Sequence, residues 1–78
     1  MNKYNEQITE QIGLKIKFER QKRKISQEKL AEMSNLNKNS LGNIERGNSS
    51  PTIETLNRIA FALDISLPEL VDINNLSL

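Results

Sequence analysis

Residues 26–47 read SQEKLAEMSNLNKNSLGNIERG, and this stretch decides the fold. Ser26 and Asn37 are residue types whose side-chain oxygens cap the N-termini of helices. Apolar residues follow each of these caps at helical spacing. The stretch therefore predicts two short helices, over residues 27–33 and 38–46.

The connection between these two helices is short and carries the signals of a tight turn. Asn35 lies within it, and asparagine is the residue that adopts left-handed backbone most readily after glycine. Gly47 predicts the end of the second helix, because glycine is common just past a helix C-terminus. This is the spacing of a helix-turn-helix unit, in which the second helix enters the major groove of DNA and the first braces it.

Helical patterns flank this unit on both sides. Isoleucines recur every four residues near the N-terminus and predict an amphipathic first helix over about residues 6–23. Thr52 predicts the cap of a fourth helix, and Ser66 predicts that of a short fifth helix near residues 67–72.

Together these elements predict an all-α fold of five helices around a single core. The nine apolar residues at its predicted centre are Ile12, Ile16, Leu30, Ala31, Leu41, Ile44, Leu56, Ile59 and Leu63. We expect one domain over residues 1–78, with its folded part at about residues 6–72 and a tail at 73–78. Nine Ile and ten Leu against one Val also favour helices over sheets.

The composition excludes several classes of protein. The sequence has no cysteine and no histidine, which excludes disulfide scaffolds, zinc fingers and His- or Cys-based catalytic centres. No carboxylates converge on a pocket in the sequence pattern, so we expect no enzyme activity, no cofactor and no metal. No apolar run approaches the roughly 18 residues that cross a bilayer, and no signal-peptide core is present. A cytoplasmic location, without contact to a membrane, is the expectation.

The charges are distributed unevenly along the chain. Residues 1–46 hold ten Lys/Arg and six Asp/Glu, a net charge of +4, whereas residues 47–78 have a net charge of −3. Such asymmetry is typical of a domain that turns one side toward a polyanion. An ordinary solvated surface produces the same pattern, so charge alone leaves both interpretations open.

The predicted helix 38–46 has one apolar face and one polar face. At 100° per residue, Leu41 and Ile44 fall together on the face expected to be buried. The residues placed opposite them are Lys38, Asn39, Gly42, Asn43 and Arg46. Asparagine can read adenine bidentately and lysine can donate to guanine, so this face suits base recognition, although any solvated helix is polar outward. Gly42 weakens the helix by about 1 kcal/mol, which predicts a close approach of another surface there.

Four short motifs occur in order along the chain. They are SQEKLA at residues 26–31, IERG at 44–47, PTIETL at 51–56 and IAFAL at 59–63. With Ile12 and Gly13 they resemble the lambda-repressor-like, XRE-type helix-turn-helix family of transcriptional regulators, over about residues 12–71. The resemblance implies a five-helix lambda-repressor-like DNA-binding domain with its helix-turn-helix at about residues 27–46. It also implies a sequence-specific repressor or autoregulator that binds a two-fold operator on double-stranded DNA as a homodimer.

The same resemblance assigns roles to individual residues. Base contacts are implied for Lys38, Asn39 and Asn43. Phosphate contacts are implied for Gln27, Ser40, Arg46, Gly47, Asn48, Ser49 and Ser50. Arg20 and Glu45 are implied to form a largely buried salt bridge between the first and third helices. Two positions depart from the family pattern: Asn35 replaces the usual glycine of the turn, and Glu19 stands where a hydrophobic residue is commoner.

Apolar residues at the C-terminal end remain after the core is filled. We expect Leu67, Leu70, Val71 and Ile73 to form the dimer interface, although sealing the fifth helix onto the core is a competing use of these side chains. An alternative function is a protein-interaction module or antitoxin that has the same fold, with or without DNA binding. Its partner would dock on the acidic C-terminal half, which includes Leu76 and Leu78. The polar face of helix 38–46 favours the DNA-binding interpretation.

Overall fold

The computed structural model describes residues 3–73, and it describes side chains for residues 7–73. The helices are α1 (Lys3–Lys22), α2 (Gln27–Met33), α3 (Lys38–Glu45), α4 (Ile53–Ala62) and α5 (Leu67–Leu70). The prediction of an all-α, five-helix fold is confirmed for the described residues. The first helix begins before residue 6, and the fifth ends two residues before the predicted position 72. Of the predicted tail at 73–78, only Ile73 belongs to the described part, so Leu76 and Leu78 lie outside it.

Four helices begin at the residues that the sequence predicts as caps. The Asn37 side-chain oxygen accepts a hydrogen bond from the backbone N–H of Ser40 at 2.7 Å, at the start of α3. The same contact, to the amide three residues further on, is made by Ser26, Thr52 and Ser66. The first amides of a helix have no partner within it, so each cap stabilises its helix and fixes where it begins.

Tight turns at the helix ends use residues with positive φ. Asn35 has a φ of 57° between α2 and α3, and Gly47 has a φ of 77° just after α3. Both positions agree with the sequence analysis. Lys24 and Asp64 also adopt positive φ, at 58° and 61°. Lysine rarely takes this backbone, so the sequence contains no signal for the turn at Lys24.

The core lies between the five helices, with α3 against α1 and α2, and α5 against α1 and α4. Eight of the nine predicted core residues are buried: Ile16, Leu30, Ala31, Leu41, Ile44, Leu56, Ile59 and Leu63. Ile12 is only partly buried and packs at the edge of this cluster. Ala60 and Leu70 complete the buried set.

Leu70 lies in the core and therefore corrects one prediction. Its side chain has no exposed surface, because α5 packs its only buried residue toward α1 and α4. The prediction that Leu70 forms part of a dimer interface is wrong for this side chain. Leu67, Val71 and Ile73 are each partly exposed, so they remain available to a partner.

Glu19 is a buried carboxylate at a position where the resembled family more often has a hydrophobic residue. Arg23 donates to it at 2.6 Å, and the ammonium groups of Lys15 and Lys22 lie 3.5 and 3.8 Å away. Burial alone raises the pKa of Glu19, but the Arg23 hydrogen bond and the charges of Lys22 and Lys15 outweigh it and hold the pKa below its ordinary value. Phe18, the neighbouring residue, is instead exposed, with the Lys22 ammonium 5.8 Å from its ring centre.

Gly13 lies where α1 crosses α3. A Cβ atom at this position would lie 2.8 Å from the backbone oxygen of Glu45 and closer still to that of Ile44. Backbone atoms inside a helix cannot move aside as the end of a side chain can. The absence of a side chain at Gly13 therefore sets how closely α1 approaches the end of α3.

We expect Gly13→Ala to lower the free energy of unfolding by about 1–3 kcal/mol, the usual cost of overpacking. This loss comes despite a helix-propensity gain of about 1 kcal/mol from replacing glycine with alanine. The matched control is Gly42→Ala in α3, where the new Cβ would meet the flexible ends of two side chains, Arg46 at 3.0 Å and Gln27 at 3.5 Å, and no backbone of another helix. Urea denaturation followed by circular dichroism measures both variants. Equal stability of the two would contradict this account of the helix crossing.

Candidate nucleic-acid interface

The outward face of α3 carries the three residues that the resemblance assigns to base contacts. Lys38, Asn39 and Asn43 are all exposed. Leu41 and Ile44, one helical face away, are buried in the core. The packing of α3 therefore presents hydrogen-bonding side chains to solvent in a row along the helix.

Gly42 lies on the face of α3 that the sequence predicts, but it is buried and not open to solvent. A Cβ atom there would lie 3.0 Å from Nη1 of Arg46 and 3.5 Å from Oε1 of Gln27. The close approach expected at this glycine is therefore made by two side chains of the same chain. Helical geometry predicted the direction in which Gly42 points, but it contained no information on which side chains fold over it.

Arg46 follows α3 and its guanidinium folds back along the helix. Its Nη2 donates a hydrogen bond to Oδ1 of Asn43 at 2.8 Å. Arg46 and Asn43 are both exposed, so the pair remains accessible from outside. The two residues were assigned separate roles, one to phosphate and one to a base, but the structure joins them in one contact.

The carboxylate of Glu45 lies beneath this face and joins three helices. Arg20 of α1 donates to it through Nε at 2.7 Å and through Nη2 at 3.0 Å, in a bidentate arrangement. Gln27, at the start of α2, donates to the same carboxylate through Nε2 at 3.0 Å. The Glu45 side chain is 2% exposed, and that of Arg20 is 12% exposed. The ion pair is therefore largely withdrawn from water.

Two arginines also fix the backbone on either side of α2. Arg20 uses its remaining Nη1 to donate to the carbonyl oxygen of Ile25 at 3.0 Å, in the connection that leads into α2. Arg58 of α4 donates to the carbonyl oxygen of Ser34 at 3.1 Å, in the turn that follows α2. Both ends of α2 are thus attached to helices outside the helix-turn-helix.

A cleft runs between α1 and the starts of α2 and α3. Its lining residues are Lys17, Arg20, Ser26, Gln27, Glu28, Lys38, Glu45 and Arg46. Three exposed cations, Lys17, Lys38 and Arg46, border it against one exposed carboxylate, that of Glu28. Lys17 was not among the predicted site residues. Only the packing of α1 against α3 brings it to this cleft, so the local sequence around α3 contains no signal for it.

The resemblance implies phosphate contacts for the residues after α3, and free backbone N–H groups are one kind of donor that could make such contacts. The amide of Gly47 donates to the carbonyl of Ile44 at 3.0 Å, and that of Asn48 donates to Asn43 at 2.9 Å. These amides complete the end of α3, so they are not free donors. The side chains of Asn48, Ser49 and Ser50 are exposed on the same loop.

Ser40 and Gln27 are the remaining residues with an expected phosphate contact, and both are partly buried. The backbone N–H of Ser40 donates to the Asn37 cap. Gln27 faces both Glu45 and Gly42.

Among the described residues, no helix has the length and apolar character needed to cross a membrane.

Comparison with known proteins identifies a family. The helix-turn-helix family model HTH_3 matches residues 16–70. The immunity repressor protein of Bacillus phage phi105 is 40% identical over 60 residues, which cover 77% of this chain and 42% of the repressor. The chain therefore spans less than half the length of that relative.

Solved structures with the same fold include two with clear sequence similarity. The restriction-modification controller protein C.AhdI from Aeromonas hydrophila is 32% identical, with a TM-score of 0.78, over 80% of this chain and 94% of that protein. An HTH_3 family transcriptional regulator from Vibrio cholerae is 37% identical, with a TM-score of 0.83, over 91% of this chain and 39% of that protein. The clp gene regulator ClgR from C. glutamicum, at 24% identity and a TM-score of 0.81, shares the fold.

We expect Glu45→Ala to lower the free energy of unfolding by about 3–5 kcal/mol, because it leaves the largely buried Arg20 guanidinium unpaired. The control is Glu32→Ala in α2, whose carboxylate is 75% exposed and lies 3.4 Å from the ammonium group of Lys29. An exposed pair of this kind contributes about 1 kcal/mol at most. Both changes place alanine in a helix, so the helix propensities nearly cancel. Similar urea midpoints for the two variants would show that the Glu45 network does not stabilise the fold.

Proposed function

Because this chain belongs to the helix-turn-helix family of DNA-binding transcriptional regulators, we propose that it is a sequence-specific repressor or autoregulator that binds a two-fold operator as a homodimer. The observation that carries the proposal is the exposed polar row on α3, formed by Lys38, Asn39 and Asn43 above a buried network. A surface helix without a partner has no need for a network of buried hydrogen bonds that fixes its orientation.

In the proposed complex α3 lies in the major groove of double-stranded DNA. Asn39 and Asn43 carry amide groups that can pair with base edges, and Lys38 can donate to guanine acceptors. The cleft beside α3 brings Lys17 and Arg46 toward the sugar–phosphate backbone. Phosphate contacts of this kind position the protein and supply salt-dependent affinity, while the base contacts supply specificity.

For the other residues with an expected phosphate contact, we propose contacts through side chains rather than through backbone amides. The exposed side chains of Asn48, Ser49 and Ser50 follow α3 and can donate to phosphate oxygens. Gln27 already donates to Glu45, so its proposed role combines bracing α3 with a contact to the backbone of DNA. Gly47 and Ser40 contribute to the proposed DNA contact indirectly. Gly47 shapes the turn after α3, and Ser40 donates to the cap at its start.

A second copy of the chain is the proposed partner of an apolar surface near α5. Phe61 is 85% exposed and Met33 is 46% exposed, and they line one groove with Ile65 and Leu67. Large exposed apolar surfaces of this kind mark interaction sites. A two-fold dimer doubles the contacts with an operator, since one recognition helix reads only a few base pairs. We propose that Val71 and Ile73, which follow α5, extend this surface.

The interaction-module alternative uses this same groove for another protein. It predicts binding of a protein partner that is independent of the α3 face. It gives no role to the exposed amides of Asn39 and Asn43. The measurement of DNA affinity therefore separates the proposed function from an interaction module that does not bind DNA.

We expect Asn39→Ala to reduce affinity for the operator by about 1–3 kcal/mol while leaving affinity for scrambled DNA nearly unchanged, because a base contact is lost. We expect Lys17→Ala to weaken binding to both DNAs and to reduce the slope of log affinity against log salt by about one unit, because a phosphate contact is lost. Fluorescence anisotropy at several salt concentrations measures both effects. The first DNA to test is that upstream of the protein's own gene, because an autoregulator binds there.

The control for the base contact is Gln21→Ala, which removes an exposed amide from α1 and lies in the lining of neither the α3 cleft nor the groove near α5. It should change neither affinity nor the salt slope. If Asn39→Ala and Gln21→Ala have the same specificity as the wild-type protein, the assignment of α3 as the recognition helix is wrong. An absence of salt-dependent binding to any DNA would favour the interaction module.

For the proposed dimer, we expect Phe61→Ser to weaken self-association about tenfold or more, since exposed aromatic residues often dominate interfaces. Phe18→Ser is the matched control, because Phe18 is also an exposed phenylalanine, at 53%, but lies on α1. Sedimentation equilibrium with and without DNA measures the association constants. A wild-type protein that stays monomeric at high concentration in both conditions would contradict the dimer.

A further inference from the structure

Asn43 is held in one orientation by Arg46. Arginine carries only donors, so the Asn43 atom that faces Arg46 across 2.8 Å is the acceptor oxygen, and the amino group points the other way. Both hydrogens of that amino group are then available for an outside partner. Asn43 is thus presented as a pair of donors.

Gly42 provides the space in which this orientation is possible. The Arg46 guanidinium lies over Gly42, with Nη1 and Nη2 at 3.0 and 3.5 Å from where a Cβ would be. An added Cβ at position 42 would crowd Nη1 of Arg46, so the guanidinium would have to shift to make room for it. Glycine weakens a helix interior by about 1 kcal/mol relative to alanine, so this position sacrifices helix stability for the arrangement above it.

The major-groove edges of the purines differ in the chemistry that this arrangement can read. Guanine offers two acceptors, N7 and O6, whereas adenine offers the acceptor N7 and the donor N6–H₂. An unrestrained asparagine pairs with adenine by using its amino group and its oxygen together. One lone pair of the oxygen is already engaged by Arg46, whereas both hydrogens of the amino group are free, so two acceptors suit this asparagine better than one acceptor and one donor.

We propose that Gly42 and Arg46 set the base preference of Asn43, so that this position of the operator is read as guanine rather than adenine. Arg46 acts here as a positioning residue, and Gly42 acts by leaving room for it. The inference rests on the proposed function, because it needs α3 in the major groove. It adds a specificity determinant that lies outside the set of base-contacting residues.

Selection from a library of randomised double-stranded DNA tests the proposal. Each of four proteins selects the sequences that it binds, and the selected DNA is sequenced. These proteins are the wild type, Asn43→Ala, Gly42→Ala and Arg46→Ala. The position that becomes fully degenerate in Asn43→Ala is the one that Asn43 reads. We expect guanine at that position for the wild-type protein. In both Gly42→Ala and Arg46→Ala the ratio of guanine to adenine should fall by about fivefold or more, the low end of the discrimination that specific base contacts supply.

Other positions of the operator should keep their preferences in Gly42→Ala, which retains every charge and every base-contacting side chain. Thermal denaturation of each variant shows whether it is folded. If Gly42→Ala is not folded, Arg46→Ala alone tests the change in the guanine-to-adenine ratio. Adenine at the Asn43 position of the wild-type protein overturns the proposal. So does an unchanged guanine-to-adenine ratio in the folded variants, or an Asn43→Ala variant with no degenerate position. If the wild-type protein enriches no sequence at all, the proposed function fails, and this inference fails with it.

Discussion

The orientation of α3 depends on one buried carboxylate, that of Glu45. A charge removed from water must be paired, and here Arg20 supplies a bidentate partner while Gln27 adds a third hydrogen bond. These donors come from α1 and from the start of α2. The helix that presents Asn39 to a partner is therefore fixed in its rotation by contacts on its opposite side.

Close packing reinforces this electrostatic connection. Gly13 allows α1 to touch the backbone of α3 at Ile44 and Glu45, beside the ion pair. Small domains bury a limited fraction of their surface, so the loss of one such contact is a large part of their stability. The same residues that hold the fold together thus keep the exposed face of α3 at a constant angle.

Most of the secondary structure could be predicted because its signals are local. Asn37 caps α3 by a contact that spans three residues, and Asn35 adopts the left-handed turn by itself. Two features that the sequence did not reveal depend on distant parts of the chain. Leu70 was expected at a dimer interface but fills the core, and Lys17 reaches the α3 cleft only because α1 packs there.

The sequence by itself determined the five helices, the caps, the core faces of the first four helices and the family, since propensity, periodicity and short motifs act over a few residues. The tertiary structure alone decided how the site residues are coupled. It placed Arg46 over Gly42 and against Asn43, and it gave a buried position of α1 to Glu19 with three cations around it. The physical reason is that a long side chain has many rotamers of similar energy, and only its packed neighbours and available partners select one.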